Sequence, residues 1–111
     1  MNKVMLVGRL VRDAELVQLE NNTRGIIKFV LAVNKNFPNK NGEREADFIP
    51  IIYWTDHGDK IQNYLSKGML IGVSGQISIR NYTTSEGTKR YITQVEADSF
   101  QFLESKKEKA V

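Results

Sequence analysis

Apolar and polar positions alternate with a period of two along most of the chain, the pattern of strands that bury one face. In KVMLVGRLV, Val4, Leu6, Gly8 and Leu10 share one face and Lys3, Met5, Val7 and Arg9 the other; AELVQLE continues the pattern after a break at Arg12-Asp13. The turn formers of LENNTRG predict that GIIKFVLAVNK returns antiparallel, with Ile27, Phe29, Leu31 and Val33 on one face. NKNFPNKNGERE is polar and holds Pro38 and Gly42, so it reads as a protruding loop or extended hairpin arm, followed by a third strand, ADFIPIIYW. The period lengthens only once. After Trp54, TDHGDKIQNYLSKG places Ile61, Tyr64 and Leu65 at helical spacing, with Thr55 or Asp56 as N-cap and Gly68 just past the end. MLIGVSGQISIRNY then resumes alternation through Met69, Ile71, Val73, Gly75, Ile77 and Ile79, and RYITQVEADSFQFL supplies a last strand.

Three strands, one short helix and two strands, in that order, predict an all-β fold. A five-stranded Greek-key barrel with its helix between the third and fourth strands is the oligonucleotide/oligosaccharide-binding (OB) fold. Gly72 and Gly75 fall mid-strand, where a small barrel bends or another backbone comes close. Residues 1–103 read as one domain. Residues 104–111, ESKKEKAV, are a short basic tail with too few apolar side chains to pack, expected to fray.

Composition narrows the chemistry. A chain of 111 residues fits one compact domain, and its 41% hydrophobic and 26% charged content argues against disorder or a fibrous repeat. The absence of cysteine excludes disulfides, thiol catalysis and cysteine-ligated zinc. Lys3, Arg9 and Arg12 interrupt the apolar start, so neither a signal peptide nor a membrane span is expected, and the chain reads as cytoplasmic. A net charge of +3 permits polyanion binding, although the placement of the charges matters more than their sum. His57, the only histidine, reads as a solvated residue at the helix start. Glu43, Glu45 and Asp47 alternate with Arg44 and Ala46 as a charged rim, and GVSG lacks the lysine and spacing of a phosphate-binding loop. With no nucleophile and base pair evident, no enzyme activity, cofactor or metal is expected, and binding is favoured over catalysis.

A protein that holds unpaired nucleic acid without reading its sequence needs exposed rings for stacking and cations for phosphates. On the third strand, residues 48, 50, 52 and 54 share a face, which sets Phe48 and Trp54 on one side of the sheet with Pro50 and Ile52 between them. Taken alone, those rings could equally fill the barrel. The loops favour the open alternative. Phe37 lies in a polar, basic loop, and IRNYTTSEGTKRY places Tyr82 and Tyr91, with Arg80, Lys89 and Arg90, around a glycine-containing turn.

The segments NKVMLVGRL, LAVN, YLSKGMLIGVSGQI and RNYTTSEGTKRYITQVEADSFQFLE resemble bacterial single-stranded DNA-binding proteins, in that family's order and spacing, over nearly the whole chain. By this resemblance the base-stacking positions fall on Phe37, Phe48, Trp54 and Tyr82. Lys3, Arg9, Lys35, Arg80, Lys89 and Arg90 are the candidate phosphate contacts, with Lys35 and Arg80 singled out because each neighbours a stacking residue. The resemblance also implies a homotetramer that wraps single-stranded DNA during replication, recombination, repair or DNA uptake. The alternative is a primosome-type relative of the same fold that serves mainly as a protein-docking platform. Two departures from the family pattern stand out. Ile49 and Pro50 replace usually polar or basic residues, predicting a bulge or an edge position. The lysine-rich ending lacks the acidic, hydrophobic-tipped motif of such proteins, so recruitment of replication or repair enzymes through that tip is not expected.

Overall fold

A computed structural model of the protein describes residues 1–18 and 24–104. Its strands are β1 (Val4–Leu10), β2 (Glu15–Gln18), β3 (Gly25–Asn34), β4 (Ala46–Thr55), β5 (Leu70–Thr83) and β6 (Lys89–Phe102), with one helix, α1 (Gly58–Gln62), between β4 and β5. The expected five strands become six because the break at Arg12-Asp13 is complete. Val11 N–H donates to the Val30 carbonyl (3.0 Å) and Ala14 N–H to the Leu65 carbonyl (2.9 Å), and the chain continues along the same edge of β3, from its pairing with β1 at Ala32 and Leu31 to Lys28, where β2 begins. The strands run in the order β1-β5-β6-β4-β3-β2, and Arg9↔Ala32 and Leu10↔Leu31 join β1 to β3, closing five of them into a ring. A Cβ at Gly8 would collide with the Ala32 carbonyl oxygen, so glycine permits the close approach at this seam.

The inward faces are those the alternation gives. Leu10, Ile27, Phe29, Leu31, Ile51, Ile71, Val73 and Val95 fill the ring, and Leu65 closes one end. Each such side chain contributes about 1.5–3 kcal/mol by leaving water. Two details of the helix differ from expectation. Its N-cap is His57, without a side-chain cap bond, whereas Thr55 Oγ1 accepts from His57 N–H (3.0 Å) and so shapes the turn ahead of it. Tyr64 and Leu65 lie beyond its last turn, and Gly68 (φ 84°) then redirects the chain into β5.

The expected inward set on β5 also changes along its length. Met69, Ile71, Val73 and Gly75 are buried, but Ile77 and Ile79, which continue the same alternation, are exposed. From Gln76 to Thr83 the hairpin of β5 and β6 runs past the ring as a finger, closed at its tip by Gly87 (φ 86°) and by Thr84 N–H donating to the Thr88 carbonyl (2.9 Å). A bulge at Ser74/Gly75 marks its root. There Asn2 acts like a strand residue, its Nδ2 donating to the Ile77 carbonyl (2.9 Å) and its Oδ1 accepting from Ile77 N–H (3.0 Å).

Candidate nucleic-acid interface

The register of β4 decides where its rings point. Ile51 is buried and Ile49 and Tyr53 pack against the core, so Phe48, Pro50, Ile52 and Trp54 face outward. Phe48 is 67% and Trp54 37% exposed; neither ring fills the barrel. Across the ladder Ala32, Val30, Lys28 and Ile26 stand opposite them on the same outer face of β3. On the other side β4 meets β6 in parallel at only Ile51↔Val95 and Ile52↔Glu96, then the two strands part. The widening gap is a groove of about 680 Å³, with Ile26, Lys28, Ile52 and Trp54 on one wall and Ser78, Arg80, Ile92, Gln94 and Glu96 on the other.

Pro50 sits at the same opening. The Val30 carbonyl points away from β4 to accept from Val11, so the Val30↔Pro50 pair is not hydrogen-bonded and the proline nitrogen faces the groove, where β4 has no partner. The edge position expected of this proline is present, and no bulge interrupts the pairing of β3 with β4.

On the finger, Tyr82 pairs with Arg90 and Arg80 with Ile92, which aligns Tyr82 and Arg90 with the groove-lining Arg80. The Arg80 guanidinium lies 5.8 Å from the Tyr82 ring centre, and Arg24 lies 5.7 Å from that of Trp54, both within cation–π range. Phe48, Trp54, Tyr82, Arg80 and Arg90 thus share one continuous outer face. The remaining candidates lie elsewhere. Lys89 pairs with Thr83 on the opposite face of the finger. Phe37 is 81% exposed, and with Lys35 it borders a separate recess beside Met5 and Val7. The Lys35 ammonium donates to Asp47 (2.8 Å), and that hydrogen bond, reinforced by the carboxylate's charge, raises its pKa above the ordinary lysine value. Lys3 lies 3.7 Å from Asp98. Arg9 is held at both nitrogens by Glu104 and also donates to the Gly68 carbonyl (2.9 Å).

Sequence reasoning missed Arg12, Arg24, Lys28, Gln94 and Glu96. Lys28 carried a legible signal, as a charge on the polar phase of an otherwise apolar strand. Gln94 and Glu96 carried none, because the groove depends on where β4 and β6 separate. Among the described residues no cluster of three potential metal ligands occurs, and no helix is long and apolar enough to cross a membrane. The basic tail beyond Glu104, and residues 19–23 of LENNTRG, fall outside the described residues.

Comparison with known proteins agrees with this architecture. A structure described as a Plasmodium falciparum SSB complex with ssDNA superposes with a TM-score of 0.80 at 24% identity, covering 94% of this chain and 96% of that one; the fold is the OB fold. A single-stranded DNA-binding protein of Streptococcus mutans is 50% identical over 105 residues, 95% of this chain but 63% of the relative, so the chain spans under two thirds of that protein's length. The single-stranded DNA-binding protein 1 of Clostridium acetobutylicum is 42% identical over 108 residues, 97% of this chain and 98% of the relative. With the profile described as the single-strand binding protein family matching residues 1–103, the chain belongs to that family.

Proposed function

We propose that this protein is a non-catalytic, largely sequence-independent binder that coats single-stranded DNA in the cytoplasm during replication, recombination, repair or DNA uptake. One observation carries the reading: Phe48 and Trp54 stand open to water on the face that also bears Tyr82, Arg80 and Arg90. A ring exposed at that cost in hydration gains when a base stacks on it, and neighbouring guanidinium groups offset the charge of the phosphates. Phe37, on its exposed loop, would extend the stacking path beyond the groove, with Lys3, Lys35 and Lys89 along its margins. Arg9, already held by Glu104, is the weakest of the phosphate candidates.

Titration with oligo-dT should quench Trp54 fluorescence, with an affinity that falls as salt rises. Unchanged fluorescence together with no shift of labelled oligo-dT in an anisotropy assay would sink the reading. A homotetramer fits the exposed outer face of β1, where Met5 and Val7 border a recess with Gly72, Ser99 and Leu103. Mass in solution, with and without a long oligo-dT, tests assembly and ligand together.

A further inference from the structure

The chain between β3 and β4 forms an extended arm, and one side chain closes it. Lys35 N–H donates to the Glu45 carbonyl (2.8 Å) and Asn39 N–H to the Glu43 carbonyl (2.8 Å), so the β3–β4 ladder continues past its last pair, Asn34↔Ala46. Between these two rungs, residues 36–38 face Arg44 alone. Three residues against one throw Asn36, Phe37 and Pro38 out of the arm as a bulge, with the exposed Phe37 at its middle. From Asn34 to Glu45 every residue except Asn39 is exposed.

The Asn39 side chain makes three hydrogen bonds with two different uses. Its Oδ1 accepts from Asn41 N–H and from Glu43 N–H (both 2.9 Å), which sets the turn together with Gly42, whose φ is 79° and whose N–H donates to the Asn39 carbonyl (3.0 Å). The Nδ2 bond, donated to the Glu45 carboxylate (2.9 Å), has no part in that turn. Glu45 is also the residue whose carbonyl holds Lys35, so the Asn39–Glu45 bond joins the two ends of the bulge. A ring 81% exposed has no packing to fix it, and a loose segment that a ligand must order subtracts that cost from affinity. Pro38 confines the Phe37 backbone to extended conformations, and the clasp fixes both ends of the segment. We propose that Asn39 is a positioning residue that clasps the bulge through Glu45 and presents Phe37 already ordered to a base of single-stranded DNA. The inference rests on the single-stranded DNA reading above and on the place of Phe37 in it.

The test measures the affinity for labelled oligo-dT by anisotropy, for each variant with and without Phe37→Ala, and a thermal melt checks folding. In the wild-type background Phe37→Ala should weaken binding about 5-fold, the low end of what one stacked base is worth. Combined with Asn39→Ala, the same substitution should cost only about 2-fold, because the strand must then order the bulge itself. Asn39→Asp keeps the acceptor that the turn uses but sets a carboxylate against Glu45, and it should reduce the contribution of Phe37 as Asn39→Ala does. Adding Glu45→Gln to Asn39→Asp exchanges donor and acceptor across the clasp at constant net charge, and should return that contribution to about 5-fold. Comparing each variant with its own Phe37→Ala partner cancels changes in general electrostatics. An undiminished Phe37 contribution in Asn39→Ala and Asn39→Asp, or no recovery in the exchanged pair, overturns the positioning role. If Phe37→Ala costs nothing in the wild type, the inference falls while DNA binding stands; if the wild type does not bind oligo-dT, the DNA-binding reading falls and this one with it.

Discussion

The ring and the finger are built from the same two strands and the same alternation, yet the alternation means different things in each. Within the ring, Ile71 and Val73 meet an opposite wall and are sealed. Past the bulge at Ser74/Gly75, Ile79 keeps the same phase but has no wall to meet, and it is 62% exposed. Apolar periodicity thus specifies a face, while burial depends on whether another element covers it. Two neighbouring stretches of one hairpin thus differ in what they do for the fold: the ring supplies the folding energy, whereas the finger, with the outer face of β4, carries the rings and cations on which the proposed binding rests and which the fold does not need.

That division can be broken by substitution. The largest contrast lies in the hairpin itself: Ile71→Ala should lower stability by about 2–5 kcal/mol through the lost burial and the cavity left behind, whereas Ile79→Ala should stay within about 0.5 kcal/mol. Paired chemical denaturation curves measure both, and similar losses would show that the finger belongs to the cooperative core. Next comes Trp54→Ala, which should cost about 1–3 kcal/mol in affinity for oligo-dT with little change in the melting transition. A large drop in stability without an affinity change would make Trp54 a packing residue. The smallest effect separates two cations. Arg80→Ala should flatten the log-log salt dependence of binding by about 0.7, the contribution of one phosphate contact on a single strand. Arg9→Ala should leave that slope alone and cost at most about 1 kcal/mol of stability, as expected for a partly exposed ion pair such as the one with Glu104. A shallower slope for Arg9→Ala would move the path of the strand toward β1.

Most of the fold was legible in the sequence because each strand buries one face, and that leaves a mark at every second residue. The outward direction of Phe48 and Trp54 needed one further piece of information, that Ile49, Ile51 and Tyr53 take the inner phase of β4. Both phases of that strand are apolar, so sequence alone left the choice open. The N-cap was misplaced for a local reason: Thr55 does bond the backbone ahead of the helix, but it serves the turn before His57 and not the first turn of α1. The groove was the least legible feature. It arises where β4 and β6 stop pairing after two residues, and that separation follows from the three-dimensional course of both strands.

The amide of Asn2, bonded to both backbone groups of Ile77, tethers the amino-terminal end to the arm formed by the finger. Chain start and arm therefore form one lever. Bulk or tension applied to the first residues, for instance by a fused affinity tag, is transmitted to the root of that arm, so such a label belongs elsewhere on the surface.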